Sequence, residues 1–81
     1  MKQLSIVGST GSIGQSTLSV IDYLKDDFQV VALAAGKGIE ELARQVIRYK
    51  PQLVSVADEQ DIAVLQEKLR EQGIGKMPEL A

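Results

Sequence analysis

The chain has 81 residues, 44% of them apolar and 25% charged, with a formal net charge of −2 and neither cysteine nor histidine. That composition describes an ordinary globular segment, and it excludes a disulfide framework, a thiolate zinc site and any imidazole acting as acid, base or metal ligand. There is no run of about 20 apolar residues for a membrane span and no basic-then-apolar leader, and the mild acidity argues against a nucleic-acid footprint, so the expected setting is the cytoplasm, with neither membrane nor nucleic acid as partner.

In chain order, Leu4 to Val7 reads as a short apolar strand, followed by Gly8-Ser9-Thr10-Gly11-Ser12-Ile13-Gly14 and then a helix-period segment. The three glycines have separate tasks at such a turn. Gly8 lets the backbone reverse, Gly11 removes a Cβ that would hold a pyrophosphate away, and Gly14 lets the new helix pack closely. Unpaired N–H groups of the first helical turn would then meet an anion, helped by the helix dipole. The hydroxyls of Ser9, Thr10 and Ser12 are candidate phosphate donors and equally candidate N-caps, with Gln15 completing a capping-box pattern begun at Ser12. A Walker-type loop is excluded, because Gln15 stands where its lysine belongs. The glycine spacing by itself also fits a plain tight connection.

Ile13, Thr17, Val20, Ile21 and Leu24 mark the expected inner face of the first helix, and Lys25-Asp26-Asp27 supplies a polar stop. Phe28 to Ala34 is the second strand; its continuous apolar stretch suits a parallel strand covered on both faces, and it closes a βαβ unit of about 30 residues. Ala34-Ala35-Gly36-Lys37-Gly38 then occupies the place where an NAD site carries a ribose-binding carboxylate. No acidic residue comes until Glu40. Lys37 suits the extra 2′-phosphate of NADP, with the N–H groups of Gly36 and Gly38 able to approach it; a solvated loop lysine is the plainer alternative.

Ile39, Leu42, Ala43, Val46 and Ile47 make the cleanest helical stripe, with Glu40 and Glu41 at its start and Arg48 and Lys50 at its end. Pro51 stops this helix by Lys50. Leu53 to Val56 is a third strand. Asp58 reads as the N-cap of a third helix, with Glu59 and Asp61 in its first turn, Ile62, Leu65 and Leu69 facing inward and a stop near Gly73. That acidic trio is expected to complement the helix dipole, not to bind metal. Met77 to Leu80 can form only an edge strand because of Pro78. Tyr23, Phe28 and Tyr49 are expected to serve packing.

This alternation predicts an α/β fold: a three-layer Rossmann-type parallel sheet with helices on both faces, the first half (βαβαβα) of a doubly wound dinucleotide-binding domain. A whole domain of that kind takes about 150 residues. Residues 1–81 are therefore expected to be the amino-terminal part of an NADP-binding domain, truncated, with catalytic and carboxy-terminal domains absent. Such a half is expected to be marginally stable, or to expose a sheet edge that another polypeptide or a second copy in a homodimer covers.

The wording of the sequence is narrower than its spacing. Val7-Gly8-Ser9-Thr10-Gly11-Ser12-Ile13-Gly14-Gln15-Ser16-Thr17-Leu18, then Phe28-Gln29-Val30-Val31-Ala32-Leu33-Ala34-Ala35-Gly36-Lys37, Leu42-Ala43-Arg44-Gln45 and Pro51-Gln52, closely resembles the amino terminus of the 1-deoxy-D-xylulose 5-phosphate reductoisomerase family. The resemblance covers nearly the whole chain. It implies an enzyme that converts that phosphorylated sugar to 2-C-methyl-D-erythritol 4-phosphate in non-mevalonate isoprenoid biosynthesis, using NADPH and a divalent metal, magnesium or manganese. By resemblance, Thr10, Gly11, Ser12 and Ile13 hold the pyrophosphate side of NADPH, and Gly36 with Lys37 holds its 2′-phosphate. Gly38 departs from the family's usual asparagine and leaves only a backbone contact there. The family's metal ligands, substrate-phosphate site and flap belong to later segments, so no catalytic or metal residue is expected here and no turnover from these residues alone. Three alternatives stand beside this reading: the cofactor half of another NADP-dependent oxidoreductase, a non-catalytic nucleotide-binding module, and a half-domain that folds but binds nothing because one wall of the cofactor cleft is absent.

Overall fold

The computed structural model describes residues 2–24 and 26–81. Strand and helix alternate throughout: β1 (Lys2–Val7), α1 (Ser12–Tyr23), β2 (Phe28–Ala35), α2 (Ile39–Tyr49), β3 (Leu53–Val56), α3 (Gln60–Glu71) and β4 (Glu79–Leu80). Every neighbouring strand pair is parallel, in the order β1-β2-β3-β4. The α/β class and the Rossmann-type alternation are those the sequence predicts, and the short edge strand after Pro78 forms as a fourth member of the sheet.

Coverage of both sheet faces is not supplied by the described residues. Right-handed crossovers that always step the same way across a sheet must lay their helices on one face. The burial pattern follows. Ile6, Leu33 and Val54 pair across the sheet on the helical side and are 9%, 1% and 0% exposed, whereas the next row, Val7, Ala34 and Ser55, lies on the opposite face, where Val7 is 85% exposed. The β1–β2 register also skips a residue: Leu4 pairs with Val30 but Ser5 with Ala32. The Val31 carbonyl is still used, accepting the Gln52 N–H at 2.8 Å. Because of this bulge, Val30 and Leu33 both point into the core although three positions separate them.

α2 holds the densest part of the core. Leu42, Ala43 and Val46 are fully buried with Val54, Leu65 and Leu69, a stripe that matches the sequence reading. The helix ends at Tyr49 as Pro51 requires, with Lys50 in the left-handed region (φ 51°) as its C-cap. α3 closes with a Schellman turn: Gly73 has φ +76°, its N–H reaches the Arg70 carbonyl at 3.0 Å and the Ile74 N–H reaches the Leu69 carbonyl at 3.1 Å. The N-cap position of α3 is Glu59, which has helical dihedrals and no side-chain cap bond of its own; the expected cap, Asp58, acts from one residue earlier, its carboxylate accepting the Gln60 N–H at 3.0 Å. No helix among the described residues is long and apolar enough to cross a membrane.

α1 is where the sequence reading of the core fails. Its buried residues are Gly14, Leu18 and Ile21, while Ile13 is 84% and Val20 57% exposed, and Thr17 and Leu24 are exposed as well. Gly14 sets this phase, because the side that must approach the turn most closely is the side without a side chain. Lys25, in the expected polar stop, lies outside the described residues. Tyr23, expected to pack, is 93% exposed; Phe28 does pack on the core, and Tyr49 is half-buried with its hydroxyl donating to the Asp22 carboxylate at 2.8 Å.

Candidate cofactor-binding site

The glycine turn lies at the carboxyl end of the sheet, where ligands of open α/β sheets sit. Gly8 has φ +68°, and the N–H groups of Gly8 and Ser9 both point at the Ala34 carbonyl of β2, at 2.7 and 3.0 Å. The turn is thereby hung from the end of the second strand. A Cβ on Gly14 would stand 2.2 Å from the Gly8 oxygen and 2.7 Å from the Ser9 Cα, so the third glycine is a packing requirement. Gly11 is different. It has ordinary extended dihedrals (φ −78°, ψ 170°), it is exposed, and a Cβ there would meet only the Gly8 oxygen at 3.4 Å.

The first intrahelical bond of α1 runs from the Gln15 N–H to the Gly11 carbonyl, at 2.9 Å. The N–H groups of Ser12, Ile13 and Gly14 precede it and have no backbone partner among the described residues, and these three residues line an open groove with Gly8, Gly11 and the end of β1. The first turn carries no acidic residue that would oppose an anion. Side-chain capping does not occur: Gly11 is the N-cap, Ser12 is already helical, and the Gln15 amide donates to the Thr10 carbonyl at 2.7 Å instead of closing a capping box. The arrangement suits a pyrophosphate: unpaired donors, a dipole end and no side chain in front of them.

Of the three candidate hydroxyls, only that of Ser12 is open. Ser9 is fully buried and turned away from the groove side of the loop, and the Thr10 hydroxyl donates to the Lys37 carbonyl at 2.7 Å. That last bond joins the glycine turn to the loop after β2. Gly36, Lys37 and Gly38 are exposed there, and a second groove runs between Val7 and Gly8 on one side and Ala35, Gly36 and Ala57 on the other. Gly38 is in the left-handed region (φ +74°) and packs against Thr10, where a Cβ would come to 3.3 Å. Asparagine tolerates such a φ better than most residues, so the asparagine expected here from the resemblance would suit the same backbone. Gly36 has no left-handed φ, and a Cβ there would meet only the Ala57 Cβ at 4.0 Å.

A residue to which the sequence assigns no role completes the site. Gln45 lies on the buried side of α2, 6% exposed, and its amide donates to the Ser9 carbonyl at 2.8 Å across 36 positions of chain. A glutamine inside an otherwise apolar stripe was the available signal. On the neighbouring flank, Arg48 pairs with Asp22 at 3.0 Å and so fastens α2 to α1, and hydrogen bonding to that carboxylate raises the Arg48 pKa further. Burial, and then the hydrogen bond to Asp22, raises the Tyr49 phenol above its ordinary 10.0.

A one-way parallel sheet, with a glycine turn at its carboxyl end and a lysine loop beside it, defines a Rossmann-type α/β module. The chain belongs to the 1-deoxy-D-xylulose 5-phosphate reductoisomerase family, whose model matches residues 4–79. A reductoisomerase of that name from Photorhabdus laumondii is 49% identical over 73 residues, covering 90% of this chain and 18% of the relative. The chloroplastic enzyme of that name from Mentha piperita is 49% identical over 79 residues, 98% of this chain and 16% of the relative. The solved reductoisomerase from Zymomonas mobilis in complex with NADPH superimposes with a TM-score of 0.85 at 34% identity, over 99% of this chain and 20% of that one. The chain thus spans about a fifth of the length of these relatives.

Proposed function

We propose that residues 1–81 are the amino-terminal part of an NADPH-binding domain in a protein that performs the reductoisomerase reaction of its family. In this reading the Ser12, Ile13 and Gly14 N–H groups take the pyrophosphate, with Gly8, Thr10 and Gly11 shaping its seat, and Gly36, Lys37 and Gly38 take the adenosine 2′-phosphate. Two glycines carry the proposal. Neither conformation nor packing requires glycine at Gly11 or Gly36, yet both stand at the mouth of the grooves where a ligand backbone would approach.

When bound, NADPH supplies the hydride of the family reaction; the part of this chain is to grip and orient the cofactor. No group of three potential metal ligands exists among the described residues, and Asp58 is engaged in capping α3. In this reading metal and phosphorylated-sugar binding belong to segments outside these 81 residues, the setting is the cytoplasm, and this chain alone is expected to have no turnover.

The test is an NMR titration of the chain with NADPH and, separately, NADH. Amide shifts confined to Gly8–Gly14 and Gly36–Gly38, larger for NADPH, are the expected result. Equal response to the two cofactors would remove Lys37 from the site, and an unresponsive, well-dispersed spectrum would overturn binding by this half alone.

A further inference from the structure

Beneath the glycine turn lies a polar pair that stability alone does not explain. Gln45 is placed on the face of α2 that also presents Leu42 and Val46 to the core. Burying an amide there is costly unless it is bonded, and only its N–H side is: Gln45 Oε1 and the hydroxyl of the fully buried Ser9 have no hydrogen-bond partner. An apolar residue of similar volume would avoid one of those orphaned atoms. What it would forfeit is the 2.8 Å bond to the Ser9 carbonyl. Ser9 is buried between Gly8, suspended from β2 through its N–H, and Thr10, tied to the Lys37 loop.

We infer that Gln45 is a positioning residue: its side-chain amide fixes the Ser9 peptide and thereby the direction in which the first-turn N–H groups of α1 face an anion. The anion-binding part rests on the cofactor reading above; the hold on the turn does not. A peptide plane has one free carbonyl direction. Fixing the Ser9 carbonyl therefore fixes the N–H of Thr10 on the same plane, and leaves the turn little room to rotate before Gly11.

The variant that separates positioning from simple packing is Gln45→Glu. Protonated, the new side chain can donate to the Ser9 carbonyl as the amide does; ionised, it cannot, and burial should raise its pKa above the usual value of about 4.3. The titratable groups lining the α1–α2 groove beside residue 45 are Asp22 of α1 and Glu41, Arg44, Arg48 and Tyr49 of α2. They are common to wild type and variant, so the difference between the two titrations reports residue 45. Amide shifts of Ser9–Ser12 in Gln45→Glu should match wild type near pH 5 and depart from it near pH 8. NADP+ affinity relative to wild type should fall about tenfold over the same interval, the order expected for one lost buried hydrogen bond.

Gln45→Met keeps the volume and never donates, so it should displace the same amides at every pH while the rest of the spectrum is unchanged. It also serves if the glutamate variant does not fold. Turn shifts in Gln45→Met identical to wild type, or a Gln45→Glu turn that ignores pH, would overturn the inference. If wild type binds no NADP+ while the pH-dependent turn shifts appear, the cofactor reading falls and the positioning role stands.

Discussion

α1 and α2 have nearly the same length and opposite relations to the molecule. α2 runs between two helices, tied to α1 by Arg48 with Asp22 and to α3 by Lys68 with Glu40 at 3.6 Å, and buries four side chains. α1 lies over the sheet edge formed by β1, packs through one glycine and two aliphatic residues, and leaves Ile13, Val20 and Tyr23 open. The interior helix supplies the stability. The edge helix, freed from that duty on its outer side, presents backbone donors at its first turn.

The sharpest way to break this contrast is through the glycines of α1. Gly14→Ala must push a methyl into main-chain atoms at 2.2 and 2.7 Å; the expected loss exceeds about 3 kcal/mol, the severe end of overpacking, read from urea unfolding followed by circular dichroism. Gly11→Ala, in ordinary contact with its surroundings, should unfold within about 1 kcal/mol of wild type and lose cofactor-induced amide shifts. Similar stability for the two variants would contradict the division of labour between them.

Next in size is a pair of truncations. Leu42→Ala removes a fully buried side chain of α2 and should cost about 2–5 kcal/mol, whereas Ile13→Ala, at an 84% exposed site of α1, should stay within about 0.5 kcal/mol. A cost at Ile13 comparable to that at Leu42 would mean that the open side of α1 is covered in solution, for instance by a second copy. At the site itself, Lys37→Ala should weaken NADPH binding about tenfold, near 1.4 kcal/mol, and leave NADH unchanged. Isothermal titration with both cofactors decides it.

The smallest effect concerns the α1–α2 seam. The folded-state pKa of Tyr49 is raised, so its contribution is intact below pH 10.0 and disappears as pH climbs through the higher folded value. Thermal unfolding of Tyr49→Phe should therefore depend less on pH above 10 than that of wild type, and Tyr23→Phe, at a 93% exposed position, should change nothing. Parallel alkaline profiles for Tyr49→Phe and wild type would remove the seam from the account.

Most of the frame could be read from residue types, and the exceptions share a cause. The bounds of β3, the stripe of α2, its stop before Pro51 and the cap at Asp58 follow from local chemistry that tertiary contacts reinforce. The face of α1 did not, because periodicity weighs apolar side chains and Gly14 has none. The fate of Ser9 was also hidden. Its hydroxyl looks like a phosphate donor in a list of turn residues, yet Ser9 is fully buried, and its backbone carbonyl is held by Gln45 of α2 from 36 positions away. Tyr23 looked like core because aromatic rings usually are, but it stands at the last turn of the edge helix, past the final residue that α1 buries. At the site, the glycine turn and the Lys37 loop were both visible as separate segments; the Thr10 bond that joins them depends on the register of β1 against β2.

That register depends on a single extra residue. With Val31 unpaired, β2 uses one more residue than β1 over the same rise, so Ala34 stands level with Val7 and its carbonyl meets the Gly8 and Ser9 N–H groups. The bulge thus acts as a gauge block between two loops. Removing Val31 itself would let Leu4–Val30 and Ser5–Ala32 pair in sequence, with Leu33 still opposite Ile6, whereas a deletion between Ala32 and Ala35 would pull Gly36–Gly38 back from Thr10; this strand should therefore tolerate loss of a residue at the bulge and not beyond it.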